Sequence, residues 1–205
     1  MAAPRRTFRY GAAAHLHFMK AAAAQLDARP YQSPIMPELT LFPLDRETAE
    51  RFAREPTSCA DEYGLVLAPH ESTVVAIAAA TAQMLATRPT PMPWGGYLAL
   101  DGAARRVVGT CGFKGGPDST STVELAYFTF PGEDSRGIAS AMVSALVHVA
   151  RSADPAVVTL CAHTLPERNA SCRVLEKSGF QFVRGVTDPE DGPVWRWEQT
   201  IHGTV

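Results

Sequence analysis

Thr122-Val123-Glu124-Leu125-Ala126-Tyr127-Phe128-Thr129-Phe130 is followed by Pro131-Gly132-Glu133-Asp134-Ser135 and then by Arg136-Gly137-Ile138-Ala139-Ser140. The first run is rich in β-branched and aromatic residues and reads as a strand. The second is a polar loop, and the third opens a helix. Ile138, Met142, Ala145, Leu146 and Val149 recur at spacings of three and four, which gives that helix one buried face through about Arg151. A helix start presents unpaired backbone N–H groups and the positive end of the helix dipole. Gly137, Ala139 and Ser140 are small enough to let a ligand reach that backbone, and a pyrophosphate is a natural guest there. An ordinary glycine at a strand-to-helix turn produces the same pattern.

The flanking sequence alternates in the same way. Downstream, Val157–Ala162 is a short apolar strand, Pro166–Ser178 is helical with Gly179 as its stop, and Phe180–Val186 pairs with Val194–Glu198 as a hairpin. Upstream, Leu39–Leu44 reads as a first strand, and Asp45 caps a helix running to about Arg54. Residues 71–88 form a second helix with Val74, Ile77 and Leu85 inward, and Trp94–Leu100 and Arg106–Phe113 are two further strands. Strands alternating with helices specify an α/β fold, and the hairpins mix antiparallel strands into its sheet. Residues 36–205 carry this pattern. Residues 1–35 do not: they form an alanine- and arginine-rich extension with a short helical stripe of Leu16, Met19, Ala23 and Leu26. The extension shares its positive, acid-poor character with organelle transit peptides but has little serine, so a plain N-terminal extension is the preferred reading. His15 and His17 are read there as two solvent-facing histidines.

Composition excludes several functions. The chain has 205 residues, 46% of them apolar, and a net charge of 19 − 21 = −2. That balance gives no electrostatic footprint for nucleic acid, and no apolar run approaches the roughly 18 residues of a membrane span. Neither nucleic acid nor membrane is therefore expected as a partner. Cys59, Cys111, Cys161 and Cys172 lack the spacing of a zinc site or a disulfide framework. They read as buried thiols in a reducing compartment, most simply the cytoplasm. No G-x-x-x-x-G-K-[ST] loop is present, and Gly109, Gly112, Gly115 and Gly116 lie between strands, where a dinucleotide fingerprint does not belong.

Five stretches carry a resemblance to a known family. They are Val123-Glu124-Leu125-Ala126-Tyr127, Arg136-Gly137-Ile138-Ala139-Ser140, His163-Thr164-Leu165-Pro166, Asn169-Ala170-Ser171 and Val174-Leu175-Glu176-Lys177-Ser178-Gly179-Phe180. In this order and spacing they resemble the GNAT acyltransferases, and most nearly the branch that includes ribosomal-protein N-terminal acetyltransferases. The resemblance covers about residues 105–198, and 38–104 more weakly. It implies a mixed central sheet of six to seven strands, splayed open and flanked by helices, with acetyl-CoA as co-substrate in the gap. Tyr127, Phe128 and Thr129 would then lie along the pantetheine arm. The amides of Arg136, Gly137, Ile138, Ala139 and Ser140 would hold the pyrophosphate, and Asn169, the only asparagine in the chain, would bond the cofactor arm.

The same resemblance implies Glu124 as the base that takes a proton from an attacking amine. Strand alternation alone would also place Glu124 on a wet face. Ser171, four residues before Leu175, is expected on the inward stripe of its helix, and the resemblance implies that it protonates the leaving thiol. His163 is read as structural. Trp94 and Tyr97 either line an acceptor pocket or pack the core, and Trp195 and Trp197 face one layer. Asp134 stands where the family loop usually begins with glutamine or arginine. A carboxylate there repels a pyrophosphate unless it turns to solvent, and Arg136 is expected to offset it. The implied function is N-acetyl transfer from acetyl-CoA to a primary amine, either a protein N-terminus or a small molecule, by a monomer or homodimer. The alternative is a non-catalytic acyl-CoA-binding or partner-binding module, which Asp134 and the lack of a tyrosine near Ser171 favour.

Overall fold

The computed structural model of the chain describes residues 38–102, 104–154, 156–189 and 191–201. The helical stripe and the two histidines expected within residues 1–35 lie outside the described residues. In chain order the elements are β1 (Leu39–Leu44), α1 (Arg46–Arg54), α2 (Pro56–Tyr63), α3 (Glu71–Thr87), β2 (Gly96–Asp101), β3 (Arg106–Phe113), β4 (Thr122–Thr129), α4 (Ile138–Ala153), β5 (Thr159–Thr164), α5 (Ala170–Lys177), β6 (Gln181–Asp188) and β7 (Gly192–Thr200).

The local chemistry explains most of these boundaries. Asp45 caps α1 by accepting the Thr48 N–H at 2.8 Å. The sequence reading has no counterpart for α2. Its signals are Pro56 at the first helical position and Gly64 just past the end, left-handed at φ 64°, a pairing that marks helix starts and stops. α4 begins at Ile138 rather than Arg136, because Gly137 takes a left-handed φ of 79° and stands outside the helix. α5 is shorter than expected, since Asn169 caps it by accepting the Cys172 N–H at 3.1 Å.

The strands form one seven-stranded mixed sheet in the order β1-β2-β3-β4-β5-β7-β6. Every pairing is antiparallel except β4–β5. Alternation along β4 serves two cores. Val123, Leu125 and Tyr127 join Met142 and Leu146 of α4, Cys172 and Leu175 of α5, and Trp197. Phe128 joins Phe52, Val74, Leu98 and Phe130 in a second cluster with α1–α3. Tyr97 belongs to the first cluster, and its hydroxyl donates to the Pro93 carbonyl at 2.7 Å. Trp94 packs edge-on to Phe113 at 5.2 Å. Tyr97 is therefore a core residue, and Trp94, half-buried, packs against the same core. Trp195 and Trp197 share a layer through Phe182, which lies 5.4 and 5.7 Å from their rings.

Gly112 lies opposite Gly96 in the β2–β3 ladder. A Cβ at Gly112 would sit 2.6 Å from the Gly95 carbonyl oxygen and 2.8 Å from the Gly96 Cα. Neither backbone atom can move aside without parting the strands. Gly112→Ala is expected to lower the unfolding free energy by about 2 kcal/mol in urea titration; an unchanged midpoint would contradict this packing.

Candidate active site

The parallel ladder between β4 and β5 is only three pairs long: Thr122–Thr159, Val123–Leu160 and Glu124–Cys161. β4 runs on to Thr129 and β5 to Thr164, with no further ladder between them. β5 turns instead to β7, with which it pairs along its whole length. The sheet thus opens immediately beyond Glu124.

At the apex of this opening, the Glu124 carboxylate receives the Lys114 ammonium at 2.6 Å and the His163 ring at 2.9 Å, through Nδ1. Burial raises the Glu124 pKa, but the His163 hydrogen bond and the Lys114 charge outweigh it, and the carboxyl is held below its ordinary value. An ionised carboxylate only accepts hydrogen bonds, so His163 must donate its Nδ1–H to it. That leaves Nε2 without a partner, and it is buried. Thr129 Oγ1, on the facing strand, is also buried and unpartnered. Beside the pair, burial pushes the Cys161 thiol up to about 12.

The loop after β4 ends at the uncapped start of α4. Gly132, Ser135 and Gly137 all adopt left-handed backbone angles, at φ 86°, 62° and 79°. No side chain caps Gly137 or the first turn beyond it. The amides of Ile138, Ala139 and Ser140 therefore face outward as helix-start donors.

A charge cluster holds this loop from beneath. Glu133 is 5% exposed. It binds Arg106 through both carboxylate oxygens, one of them at 3.2 Å, pairs with Arg136, and meets His70 at 3.4 Å. Arg136 also reaches Asp101 at 3.0 Å. Hydrogen bonding from Arg106 leads the causes that, against burial, hold the Glu133 carboxyl down to about 2. The loop is thereby tied to the end of β2, the start of β3 and the residue before α3.

Several expectations change in this light. Arg136 was expected to offset Asp134 at the anion site; its guanidinium is engaged by Glu133 and Asp101 instead. Asp134 itself is exposed. Ser171 is not on the inward stripe of α5. Cys172 and Leu175 are the residues that bury, and Ser171 is half-buried. The Tyr127 phenol donates to the Ser171 backbone carbonyl at 3.3 Å. Burial pushes that phenol above its ordinary pKa, so it stays protonated. The Phe128 side chain packs in the second core, which leaves the expected role of its backbone untouched, and the Asn169 oxygen is used in the helix cap while its NH₂ is not. Glu133, Arg106, His70 and Lys114 were missed, because charged residues in polar segments look solvated until the fold brings their partners together.

A family model described as an acetyltransferase (GNAT) domain matches residues 38–181. The chain belongs to the GNAT acetyltransferase family. It is thus an enzyme of the acyltransferase class. No curated protein sequence matches it. Among solved structures, a spermidine N-acetyltransferase chimera from Vibrio cholerae and hSSAT has a TM-score of 0.56 at 13% identity, covering 80% of this chain and 96% of that one. The aminoglycoside acetyltransferase AAC(6')-Ib in complex with coenzyme A scores 0.54 at 18% identity, covering 80% and 95%. A Vibrio cholerae protein provisionally named a ribosomal-protein-serine acetyltransferase scores 0.54 at 11%, covering 85% and 98%. At these identities the likeness concerns the fold. Among the described residues, no helix is long and apolar enough to cross a membrane, and the four cysteines are unpaired.

Glu133 carries a stability test. Its folded pKa of about 2 lies below the unfolded value of about 4.3. Its contribution is complete above the unfolded pKa and is lost as pH falls towards 2. Glu133→Ala is expected to cost about 3 kcal/mol at neutral pH, and the gap to wild type should narrow over that acid range. A gap independent of pH would contradict the ion cluster.

Proposed function

We propose that this enzyme moves an acetyl group from acetyl-CoA to a primary amine, a protein N-terminus or a small molecule, by direct transfer. The opening of the sheet at Glu124–Cys161 carries this reading, with a carboxylate–imidazole pair at its apex and uncapped amides at the loop end. The residues fit the co-substrate. The Ile138–Ser140 amides suit a pyrophosphate, and Thr129 Oγ1 is a buried oxygen still lacking a partner. Asn169 uses its side-chain oxygen for the cap and keeps its NH₂ donors for the cofactor arm. That AAC(6')-Ib is solved in complex with coenzyme A supports the same choice.

Acetyl-CoA supplies an activated thioester. The chain must orient the amine, remove its proton and provide for the leaving thiol. The Glu124–His163 pair supplies the proton acceptor. Ser171, half-buried on α5 with its backbone carbonyl bonded by the Tyr127 phenol, is the residue whose hydroxyl is assigned to the thiol. Direct transfer is favoured over an acyl-enzyme because Cys161, the cysteine at the apex, is held as a neutral thiol, and the thiolate is the nucleophilic form. The provisional name of the Vibrio cholerae relative keeps the ribosomal-protein branch among the acceptor choices.

Calorimetric titration tests the co-substrate site. Acetyl-CoA is expected to bind at about micromolar Kd, roughly −8 kcal/mol. Gly137→Val should weaken binding at least about tenfold, since a β-branched residue resists a positive φ. No binding at millimolar acetyl-CoA would overturn the reading.

A further inference from the structure

We infer that Nε2 of His163, oriented by Glu124, is the atom that takes the proton from the incoming amine. The inference rests on the acetyl-transfer reading and assigns the base within the apex pair. His163 lies on β5, two residues beyond Cys161, where β4 and β5 have ceased to pair. Its side chain is 10% exposed. Nδ1 is committed to Glu124 at 2.9 Å, while Nε2 is one of three buried side-chain N or O atoms without a partner among the described residues. A purely structural histidine would be expected to satisfy both nitrogens.

The groups around the ring select the tautomer of its neutral form. Lys114, just after β3, and His163 both bind Glu124 Oε1. Arg196 stands opposite His163 on β7 and is itself paired with Glu198 at 2.6 Å. Lys114 favours the ionised form of Glu124. The ionised carboxylate demands the Nδ1–H tautomer, and that tautomer leaves the lone pair on Nε2. Glu124 is then a positioning residue: the bonds of Lys114 and His163 to its Oε1 hold the carboxyl below its ordinary pKa and weaken it as a base in its own right.

In the transfer, the amine nitrogen bonds to the acetyl carbon and its N–H proton passes to the Nε2 lone pair. The C–S bond breaks, and the sulfur leaves with the electron pair. The sulfur takes its proton from the Ser171 hydroxyl, which regains one from the imidazolium through solvent. Amine and thioester thus become amide and thiol, with nothing else consumed.

Two measurements on the full chain decide the assignment. Nitrogen-15 NMR of the histidine rings, with His163→Asn used to assign the signal, should show neutral His163 protonated at Nδ1. In acetyl transfer to spermidine, kanamycin or a short peptide with a free N-terminus, His163→Asn should lower kcat about 100- to 1000-fold. Asparagine keeps a donor to Glu124 and removes Nε2, so the Kd for acetyl-CoA should stay within about twofold of wild type by this geometry. Glu124→Gln should cost less, about tenfold, because an amide oxygen still accepts from Nδ1. A ring protonated at Nε2, or a Glu124→Gln enzyme more impaired than His163→Asn, would overturn the inference. Failure of the acetyl-transfer reading would appear separately, as no acetyl-CoA binding by wild type, whereas the tautomer is read without any ligand.

Discussion

The parallel ladder between β4 and β5 stops after three residue pairs, and the rest of the site depends on that stop. Each extra pair would satisfy backbone groups and close the sheet. The competing constraint is β7, which pairs with β5 from Thr159 to Thr164 and draws it away from β4. The neighbouring ladders, β3–β4 and β5–β7, run for five and six pairs, so the short parallel junction is where the sheet parts. Tyr127 crosses beneath the opening to the Ser171 carbonyl, and Leu125 and Leu160 keep the two halves on one core. The gap is thus held open on a rigid floor.

Two carboxylates, Glu124 and Glu133, anchor the two ends of that opening by the same physics. Each is removed from water and held ionised by cations that the fold brings from distant segments. At the loop end, Arg106 and Arg136 use their planar donor sets on Glu133, which fixes a loop containing three left-handed residues. At the apex, Lys114 and His163 share Glu124. The first network shapes backbone donors for an anion, and the second prepares a proton acceptor. Because Arg136 is spent on the loop, anion binding falls to the amides and the helix dipole.

Much of the fold was legible because the relevant signals are local. Alternation in β4, the three-and-four spacing of α4 and the cap at Asp45 are set by neighbours within a few residues. The opening strand, loop and helix therefore stand close to where the sequence places them. α2 was missed although Pro56 and Gly64 bracket it, since its eight residues carry no clear apolar stripe. Ser171 was misplaced because a spacing of four does not say which side of a short helix faces in; Cys172, three before Leu175, takes that place. The charged partners were beyond reach for a different reason. Glu133 and Arg106 lie 27 residues apart, and Glu124 and His163 lie 39 apart. Only the sheet order brings them together.

Hydrogen exchange of the full chain, with and without acetyl-CoA, tests most directly whether the gap beyond Glu124 is the co-substrate site. Binding there should slow exchange of the amides at 125–129 on β4 and at 138–140 on α4. The β6–β7 hairpin and α1–α3 should change little. Protection confined to α1–α3 or to the hairpin, with 125–129 and 138–140 unchanged under saturating acetyl-CoA, would contradict it.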